Sequence, residues 1–457
     1  MTVKIPLVEL PKIFASNLIK TTVDRSTAIA QRLAESEIAQ GVTTDTRQIR
    51  PGEIFLALVG EKFDGHDFVA TAIERGAIAL IVNREIPSIA IPQFIVRDTL
   101  QAYQQIAHWW RNRFEIPLIA ITGSVGKTST KELIAAVLST KGKVLKTQKN
   151  YNNEIGVPKT LLEITEEHDY AVIEMAMRGL GEIALLTQIA QPTIGVITNV
   201  GTAHIGRLGS EEAIAQAKCE LLATMADNSI AILNQDNPLL MATAAEVWQG
   251  KTITYGLEGG ELQGKLLDDE TIQIGNDAFP LPLLGVHNAS NFLAAIAVAR
   301  TLNIDLAPLT NLTVELPQGR ARRYQLSNDI ILLDETYNAG LESMQAALKL
   351  LKQTSGKRHI AVLGTMKELG EYAASLHRRV GETVRELELD LLFVLADEPV
   401  TREIVTGAAT IKAECFTDRH RLILRLQETM QKGDRILFKA SNSVGLNRVV
   451  EKLIIDN

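Results

Sequence analysis

Two features are nearly or wholly missing from this 457-residue chain. It has only two cysteines, Cys219 and Cys415, which excludes a disulfide framework and a cysteine-rich metal site. We expect both to be reduced, packed thiols. No apolar run approaches the ~18 residues that span a bilayer, and the first residues lack the apolar core of a secretion signal. We therefore expect a cytoplasmic protein without membrane insertion.

An excess of positive charge is missing too. The 47 basic and 54 acidic side chains give a net charge of -7, so nothing in the composition indicates binding to nucleic acid or anionic membranes. With 46% hydrophobic and 22% charged residues, the chain has the composition of a globular protein with sizeable cores. At roughly 150 residues per domain, its length suggests three domains. Any anionic ligand must then be bound locally.

The most informative stretch combines a strand, a glycine-rich loop and a helix. Residues 118–122 are an apolar run, Gly123 and Gly126 bracket a tight loop, and Lys127 opens a helix with an apolar face. Loop N–H groups and the positive helix end bind phosphate, Lys127 can reach terminal phosphates, and the Thr128 hydroxyl can bind Mg²⁺. We predict ATP and Mg²⁺ as ligands, with the nucleotide held by Gly123, Ser124, Val125, Gly126, Lys127 and Thr128.

The spacing of this loop departs from the usual phosphate-loop pattern. The first glycine of that pattern would stand five residues before Gly126, where this sequence has Ile121. A glycine-rich turn without a ligand is therefore an alternative. The strand before the loop and the amphipathic helix after it favour the nucleotide site.

Polar side chains follow two more buried strands of the same segment. Residues 170–173 predict a strand that ends in Glu174, and residues 194–198 a strand that leads to His204. Ligands of an open parallel sheet bind at the carboxyl ends of its strands, so both groups should lie near the phosphate loop. Each has an ordinary alternative as a helix cap or a satisfied loop histidine. Lys218 lies in a predicted helix that begins with acidic residues. Nothing in its spacing distinguishes it from an ordinary solvated lysine.

The flanking segments also alternate apolar runs with helical patterns. After a helical lead-in, the first has strand patterns at residues 54–59 and 78–82, and the last has them at residues 330–333, 360–363, 391–395 and 436–438. The predicted fold class is therefore α/β. We expect three domains, residues 1–98, 99–313 and 314–457.

Several motifs, taken in order, resemble those of one family. They are TGSVGKTSTKE, YNNEIGVP, VIEMAMRGLGEI, TNVGTAHI, AKCE and GVHNASN. This series is similar to the Mur ligases, ATP-dependent amide-forming enzymes of peptidoglycan assembly, and the resemblance covers essentially the whole chain. It implies a small N-terminal UDP-binding α/β domain, a central P-loop ATPase-like domain with a parallel sheet, and a C-terminal Rossmann-like domain.

Other stretches indicate a position within the family. DETYNAGLESMQAAL and AVLGTMKELGEYAASLHRRVGE resemble the fourth ligase, which adds D-alanyl-D-alanine to UDP-N-acetylmuramoyl-tripeptide. The DNPR motif of members that add diaminopimelate is absent. The alternatives are the neighbouring ligase that adds the third amino acid to UDP-N-acetylmuramoyl-dipeptide, a folylpolyglutamate synthetase-like ligase, and a nucleotide-dependent binding protein without ligase activity. Retention of Glu174, His204 and Lys218 favours an enzyme, and a monomer is the simplest expectation.

The resemblance also implies roles for individual residues. Lys127, His204 and Lys218 are catalytic, with Lys218 carbamylated by CO₂. Thr128 and Glu174 bind one Mg²⁺, while His204 and carbamylated Lys218 lie at a second. Further nucleotide-binding residues are His287, Asn291, Arg320, Asp334 and Glu335. The substrate-binding residues are Asp45, Thr46, Arg47 and Asn338.

Three motifs depart from the family pattern. YNANP is here YNAGL, GDM is GTM, and KGSR is Lys439-Ala440-Ser441-Asn442. The missing arginine predicts a lower affinity for an anionic substrate group.

Overall fold

A computed structural model describes residues 3–22 and 37–456 as three successive α/β units, each built on its own main sheet. This is the predicted fold class. The part of the helical lead-in that falls on residues 23–36 lies outside the described residues. Before that part, residues 7–17 are helical and strand residues follow at 18–22, so the predicted helical lead-in is confirmed for the first of these stretches and ends in a strand that was not predicted.

The N-terminal unit has one five-stranded sheet and one two-stranded sheet. Its elements are β1 Ile5–Pro6, α1 Leu10–Phe14, β2 Leu18–Thr22, β3 Ile38–Ala39, β4 Val42–Thr43, β5 Ile54–Leu56, α2 Val69–Glu74, β6 Ala79–Val82 and β7 Gln93–Val96. The larger sheet has the order β2-β7-β6-β5-β4, in which only β2 runs antiparallel to its neighbour. Strands β1 and β3 form the smaller sheet.

The central unit carries a nine-stranded sheet in the order β16-β15-β14-β13-β12-β11-β8-β10-β9. Strands β8 to β14 are parallel, and β15 and β16 add an antiparallel edge. The elements are α3 Thr99–Arg111, β8 Leu118–Thr122, α4 Lys127–Ser139, β9 Val144–Lys146, α5 Gly156–Leu161, β10 Tyr170–Glu174, α6 Glu182–Ala190, β11 Ile194–Ile197, α7 Ile205–Leu208, α8 Glu211–Thr224, β12 Ile230–Asn234, α9 Pro238–Val247, β13 Lys251–Gly256, β14 Leu262–Leu266, β15 Thr271–Ile274, β16 Asp277–Pro280 and α10 Val286–Thr301.

The C-terminal unit has six strands in the order β17-β18-β22-β19-β20-β21, with only β17 antiparallel. Its elements are β17 Arg322–Leu326, β18 Ile330–Glu335, α11 Leu341–Gln353, β19 Arg358–Gly364, α12 Ala373–Glu386, β20 Leu391–Leu395, α13 Glu403–Ala408, β21 Ala413–Phe416, α14 Arg419–Thr429, β22 Asp434–Lys439 and α15 Asn447–Ile455.

Burial explains why the central strands could be recognised in the sequence. Every residue of β8 is fully buried, because helices cover both faces of a parallel sheet and its strands become continuous apolar runs. The carboxyl ends of β8, β10 and β11 lie side by side and face the C-terminal unit. The candidate site is at this edge.

The structure also bears on the expectations about membrane spans and about the two cysteines. Across residues 3–22 and 37–456, no helix combines the length and the apolar character needed to cross a membrane. Both cysteines are free thiols, and Cys219 is buried as expected. Cys415 is exposed on the edge strand β21, so the expectation of a packed thiol is wrong for that residue.

Candidate active site

The phosphate loop joins β8 to α4 and is braced by the loop after β11. Val125 N–H donates to Asn199 Oδ1 at 3.0 Å. Gly126 has a φ of 82°, and an added Cβ would lie 2.6 Å from Asn291 Oδ1, so only glycine fits there. The first-turn N–H groups of α4 have no acceptor within the helix. They point the positive helix end at the space above the loop, which suits an anion.

Lys127 folds back over this loop. Its Nζ donates to Gly123 O at 2.7 Å and lies 3.5 Å from Ser124 O. Burial lowers the pKa of Lys127, Arg320 acts in the same direction, and Glu174 opposes both. The side chain can exchange two carbonyl contacts for phosphate oxygens without leaving the loop.

Glu174 ends β10 and lies against the hydroxyl group of the phosphate-loop threonine. Thr128 Oγ1 donates to Glu174 Oε2 at 2.9 Å, and Asn152 Nδ2 donates to Glu174 Oε1 at 2.8 Å. Glu174 is 3% exposed and Thr128 4%. A carboxylate and a hydroxyl oxygen are therefore fixed side by side next to the phosphate loop, as the strand-end argument predicts.

A buried lysine that sequence reasoning missed stands behind Glu174. Lys131 Nζ donates to Thr147 O at 2.8 Å, lies 3.0 Å from Glu132 Oε1 and is 4.0 Å from Glu174 Oε2. It is 1% exposed, and buried lysines need such partners. One feature of the sequence could have identified Lys131. It stands four residues after Lys127, which puts both lysines on one face of α4.

His204 opens helix α7 with a φ of 70° and faces the C-terminal unit. Its Nδ1 lies 2.7 Å from Glu368 Oε2. Burial, and then the Lys127 ammonium, lower the pKa of His204 to about 4, while Glu368 acts in the opposite direction. The imidazole is therefore neutral near pH 7. The loop that holds it adjoins the phosphate loop, as predicted.

Lys218 on α8 is 2% exposed, so the solvated lysine that its spacing predicts is wrong. Its Nζ has no hydrogen bond or ion pair with any described residue. Burial, and then Lys127, hold the pKa of Lys218 well below its usual value. Lys218 also lies close enough to His204 to affect that ring electrostatically. The amine belongs to the site and not to the surface.

Helix α10 forms a second wall beside the phosphate loop. Thr130 Oγ1 donates to Asn291 Oδ1 at 3.1 Å, and Asn291 Nδ2 donates to Asn288 Oδ1 at 3.2 Å. Asn291 therefore braces α4 against α10 as well as lining the cleft. His287 lines the same cleft, and burial lowers its pKa.

The C-terminal unit closes a cleft of about 300 Å³ over the loop. The Arg320 guanidinium lies 4.1 Å above the Tyr337 ring, and its Nε is buried without a hydrogen-bond partner among the residues that the structure describes. Ala321 N–H donates to Glu335 Oε1 at 3.1 Å, and Lys439 Nζ lies 3.6 Å from Glu335 Oε2. Arg320 and Glu335 thus face the phosphate loop, and the unpaired Nε is a donor available to an anion.

Two other predicted residues of this unit, Asn338 and Asp334, differ in their position relative to the cleft. Asn338 lines the cleft, and its carbonyl oxygen accepts a hydrogen bond from Lys439 Nζ at 3.0 Å. Asp334 is 2% exposed and accepts hydrogen bonds from Thr336 N at 3.1 Å and Oγ1 at 2.6 Å. Burial raises the pKa of Asp334. Its carboxylate supports the strand end from inside and does not line the cleft.

Sequence reasoning also missed Glu342, Tyr337 and Lys439 in the cleft lining. Glu342 Oε1 accepts from Thr202 N–H at 2.6 Å, and Glu342 Oε2 is buried without a hydrogen-bond partner in the described part of the chain. Lys439 ends β22, so the strand-end rule used for Glu174 would have found it. Glu342 offered only the ordinary signal of an acidic residue in the first turn of a helix.

The predicted residues of the N-terminal unit lie away from this cleft. Arg47 Nε donates to Asp45 Oδ1 at 2.9 Å, and Thr46 O accepts from Arg75 Nη1 at 2.9 Å. The Arg47 hydrogen bond lowers the pKa of Asp45, with a further contribution from Lys159 at α5. The triplet does not line the cleft at the phosphate loop, and Lys159 of the central unit is near enough to affect Asp45 electrostatically.

Comparison with known proteins follows the same three-part division. The sequence patterns of three Mur ligase domains match this chain: the middle domain over residues 121–299, the glutamate ligase domain over residues 319–442 and the family's catalytic domain over residues 39–108. The chain is 58% identical over 442 residues to the UDP-N-acetylmuramoyl-tripeptide–D-alanyl-D-alanine ligase of Synechocystis sp., covering 96% of this chain and 97% of that protein. The chain belongs to the Mur ligase family.

Within that family, solved structures point to the same group of ligases. MurF from Acinetobacter baumannii matches with a TM-score of 0.87 and 29% identity, covering 99% of both chains. MurF ligase from Thermotoga maritima, solved in complex with ADP, matches with a TM-score of 0.81 and 31% identity over 90% of this chain and 96% of that one.

Proposed function

We propose that this protein is an ATP-dependent ligase that joins D-alanyl-D-alanine to UDP-N-acetylmuramoyl-tripeptide, giving the UDP-muramoyl-pentapeptide precursor of peptidoglycan. The observation that supports this proposal most strongly is that Lys127, Glu174 and His204 converge at one sheet edge, opposite Arg320 of the C-terminal unit. The name of the Synechocystis relative, which is similar over nearly its whole length, supports the choice of substrates.

ATP is assigned to the cleft between the central and C-terminal units. Its phosphates bind the loop from Gly123 to Thr128, with Lys127 at the terminal phosphates. His287 and Asn291 lie on the adenine side. Arg320 and Glu335 cover phosphate and ribose from the other unit, and Asp334 acts by shaping the end of β18.

The residues present fit Mg²⁺ by their donor chemistry. Thr128 Oγ1 and Glu174 Oε2 are 2.9 Å apart, which is about the separation of neighbouring oxygens 2.0–2.1 Å from an octahedral Mg²⁺. Among the described residues, no three His, Cys, Asp or Glu side chains converge. That sparse set suits an ion that keeps waters and phosphate oxygens in its shell. A second Mg²⁺ is assigned to His204 and carbamylated Lys218; when bound, the ions would neutralise charge on the transferring phosphoryl group.

The chain's own residues position two successive displacements. The tripeptide carboxylate attacks the γ-phosphorus of ATP, the bond to the β,γ-bridging oxygen breaks, and ADP and an acyl phosphate form. The dipeptide amine then attacks the acyl carbon, phosphate leaves, and the nitrogen loses a proton. Lys127 and Arg320 stabilise the phosphoryl charge, and closure of the cleft excludes water. Asn338 lies where ATP and the incoming dipeptide meet.

Carbamylation of Lys218 would explain why a lysine amine is buried in this site. A neutral amine adds to CO₂ and releases one proton, forming a carbamate anion. The lowered pKa of Lys218 supplies that neutral amine, and its lack of a partner among the described residues leaves it open to reaction. The product is an anion that attracts both Lys127 and metal ions, whereas the amine it replaces would repel them whenever it is protonated.

The chain divides, in this proposal, into residues 1–98 for the UDP-linked substrate, 99–313 for ATP and 314–457 for closure and the incoming dipeptide. Asp45, Thr46 and Arg47 recognise the UDP-linked substrate. ATP and UDP-linked precursors are cytoplasmic metabolites, so we place the reaction in the cytoplasm.

Phosphate release against a panel of UDP-muramoyl peptides and amines tests the proposal. We expect turnover that requires both UDP-N-acetylmuramoyl-tripeptide and D-alanyl-D-alanine, with Lys127→Met as the inactive control. Peptides with lysine or diaminopimelate at the third position belong in the panel. Turnover with UDP-N-acetylmuramoyl-dipeptide and a diamino acid, and none with the expected pair, would assign the protein to the neighbouring reaction.

A further inference from the structure

The loop between β19 and α12 packs directly on the loop that carries His204. An added Cβ on Gly206 would lie 2.4 Å from Gly370 N and 2.5 Å from Leu369 C, so the two backbones touch. Tyr372 Oη donates to Gly209 O at 2.8 Å beside this contact. The GTMKELG segment is thus part of the surface that closes on the central unit.

Within this contact, Glu368 and His204 form a specific pair. Glu368 Oε2 lies 2.7 Å from His204 Nδ1, and Arg207 lies 3.5 Å from Glu368 Oε1 on the other side. Both members of the pair have left-handed backbone conformations, with φ of 64° for Glu368 and 70° for His204. Such conformations are unfavourable for residues other than glycine and concentrate at functional positions. Two of them meeting across one interface indicate that this contact has a use.

The hydrogen bond fixes the ring chemically. A carboxylate only accepts hydrogen bonds, so Nδ1 of His204 must carry the hydrogen. With its hydrogen on Nδ1, the ring has Nε2 available as a ligand atom, and Nε2 makes no hydrogen bond to any described residue. Histidines that bind metals are commonly held this way, by a carboxylate on the opposite nitrogen.

We propose that Glu368 is a positioning residue that orients His204 across the domain interface, so that His204 becomes competent only when the C-terminal unit has closed. This inference rests on the proposed ligase function. Glu368 lies in the C-terminal unit and His204 in the central unit, so an open arrangement separates them. Completion of the site then depends on closure, which delays phosphoryl transfer until all substrates are enclosed.

The test compares Glu368→Ala, Glu368→Gln and the control Tyr372→Phe. Tyr372→Phe removes a hydrogen bond from the same interface without touching His204. We expect Glu368→Ala to lower kcat roughly 10 to 100-fold with little change in KM for ATP, as for other lost supporting carboxylates. Glutamine keeps an acceptor oxygen, so it should restore most of kcat. Tyr372→Phe should retain nearly full kcat.

Two measurements other than turnover distinguish a positioning role of Glu368 from a role in merely holding the two units together. The affinity for Mn²⁺, with a non-hydrolysable ATP analogue and UDP-N-acetylmuramoyl-tripeptide bound, should fall in Glu368→Ala as it does in His204→Ala. Small-angle scattering should show Glu368→Ala compacting with all substrates as wild type does. Unchanged Mn²⁺ affinity, unchanged kcat, or loss of compaction would each overturn the inference. The proposed function fails separately, if the wild-type chain releases no phosphate with the expected pair.

Discussion

Lys218 is the residue whose chemistry most needs an explanation. A lysine that is 2% exposed normally has an anionic or hydrogen-bonding partner, and among the described residues none pairs with this one. The charge that contributes most to lowering its pKa, after burial, is that of another lysine, Lys127. Burial and a neighbouring cation both disfavour the ammonium form of Lys218, whereas a carbamate at this position would be attracted to Lys127.

Replacement of Lys218 by alanine tests this explanation. We expect phosphate release to slow by at least roughly 10 to 100-fold, the loss typical of a missing partner at a metal site. Short-chain carboxylates such as acetate should restore part of the activity, because they supply the lost oxygens in the vacated space. Rescue by alkylamines instead, or an alanine variant with full activity, would show that Lys218 does not act as a carbamate.

His377 offers a second test at this scale, outside the cleft. It is fully buried, Met366 N–H donates to its Nε2 at 2.9 Å, and its Nδ1 lies 2.7 Å from Ala373 O. Burial lowers the pKa of His377. The unfolded chain, with an ordinary pKa near 6.5, therefore binds a proton that the folded chain resists.

The free energy of unfolding should consequently fall as the pH drops below about 6.5, by about 1.4 kcal/mol for each tenfold excess of proton affinity in the unfolded chain. Urea unfolding at pH 7.5 and pH 5.5 measures this for wild type and His377→Gln. Glutamine does not titrate in this range, so the variant should lose less stability on acidification. Equal losses in the two proteins would contradict the prediction.

At the scale of elements, sequence patterns identified the buried strands better than the exposed ones. The apolar runs of β8 and β20 gave their bounds to the residue, because strands buried on both faces are almost wholly apolar. The edge formed by β14, β15 and β16 was not predicted. Its residues alternate between buried and exposed and include charged side chains, a pattern that a surface loop shares.

The candidate site divides in a similar way. Groups at strand ends, such as Glu174, follow from the topology of a parallel sheet. Lys131 and Glu342 did not, because their partners lie far away in the chain or in another unit. A helical lysine or glutamate looks solvated in sequence until the packing of distant elements is known.

The buried Lys131 should stabilise the packing of helix α4 against its neighbours. Lys131→Met removes the hydrogen bond to Thr147 O and leaves Glu132 with Lys146 as its ion-pair partner. We expect a loss of about 3 kcal/mol in the free energy of unfolding, at the lower end for breaking a buried ion pair. Urea unfolding measures it.

The matched control is Lys143→Met, which removes an exposed pair with Glu167 in the same part of the chain. Exposed pairs contribute little, so this variant should be close to wild type. Similar stability of the Lys131 and Lys143 variants would mean that the buried network does not anchor α4.

For the whole molecule, the residues 201–209 form a docking strip between two units. Thr202 N–H binds Glu342, His204 pairs with Glu368, and Gly209 O accepts from Tyr372. Each of these partners belongs to the C-terminal unit. The strip also adjoins the phosphate loop, through the hydrogen bond between Gly201 and Ser124. Closure and nucleotide binding therefore share the same short segment.

Gly206→Ala should block closure without harming either unit. The added Cβ would meet backbone atoms Gly370 N and Leu369 C at 2.4 and 2.5 Å, and backbone cannot rotate away as a side chain can. Alanine within a helix is favoured over glycine by roughly 0.5–1 kcal/mol, so the central unit should remain stable. With a non-hydrolysable ATP analogue and both substrates, small-angle scattering should show less compaction than wild type. Phosphate release should fall at least ~10-fold, since small misplacements of catalytic groups are costly.

Gly179→Ala is the control for this change, because an added Cβ there meets only Glu182 Oε1, at an ordinary 3.7 Å. It should compact and turn over like wild type. A Gly206→Ala protein that compacts fully and keeps its turnover would show that this backbone contact is absent from the working enzyme. Lost turnover with full compaction would place the defect in the His204 loop itself, since His204 lies only two residues away.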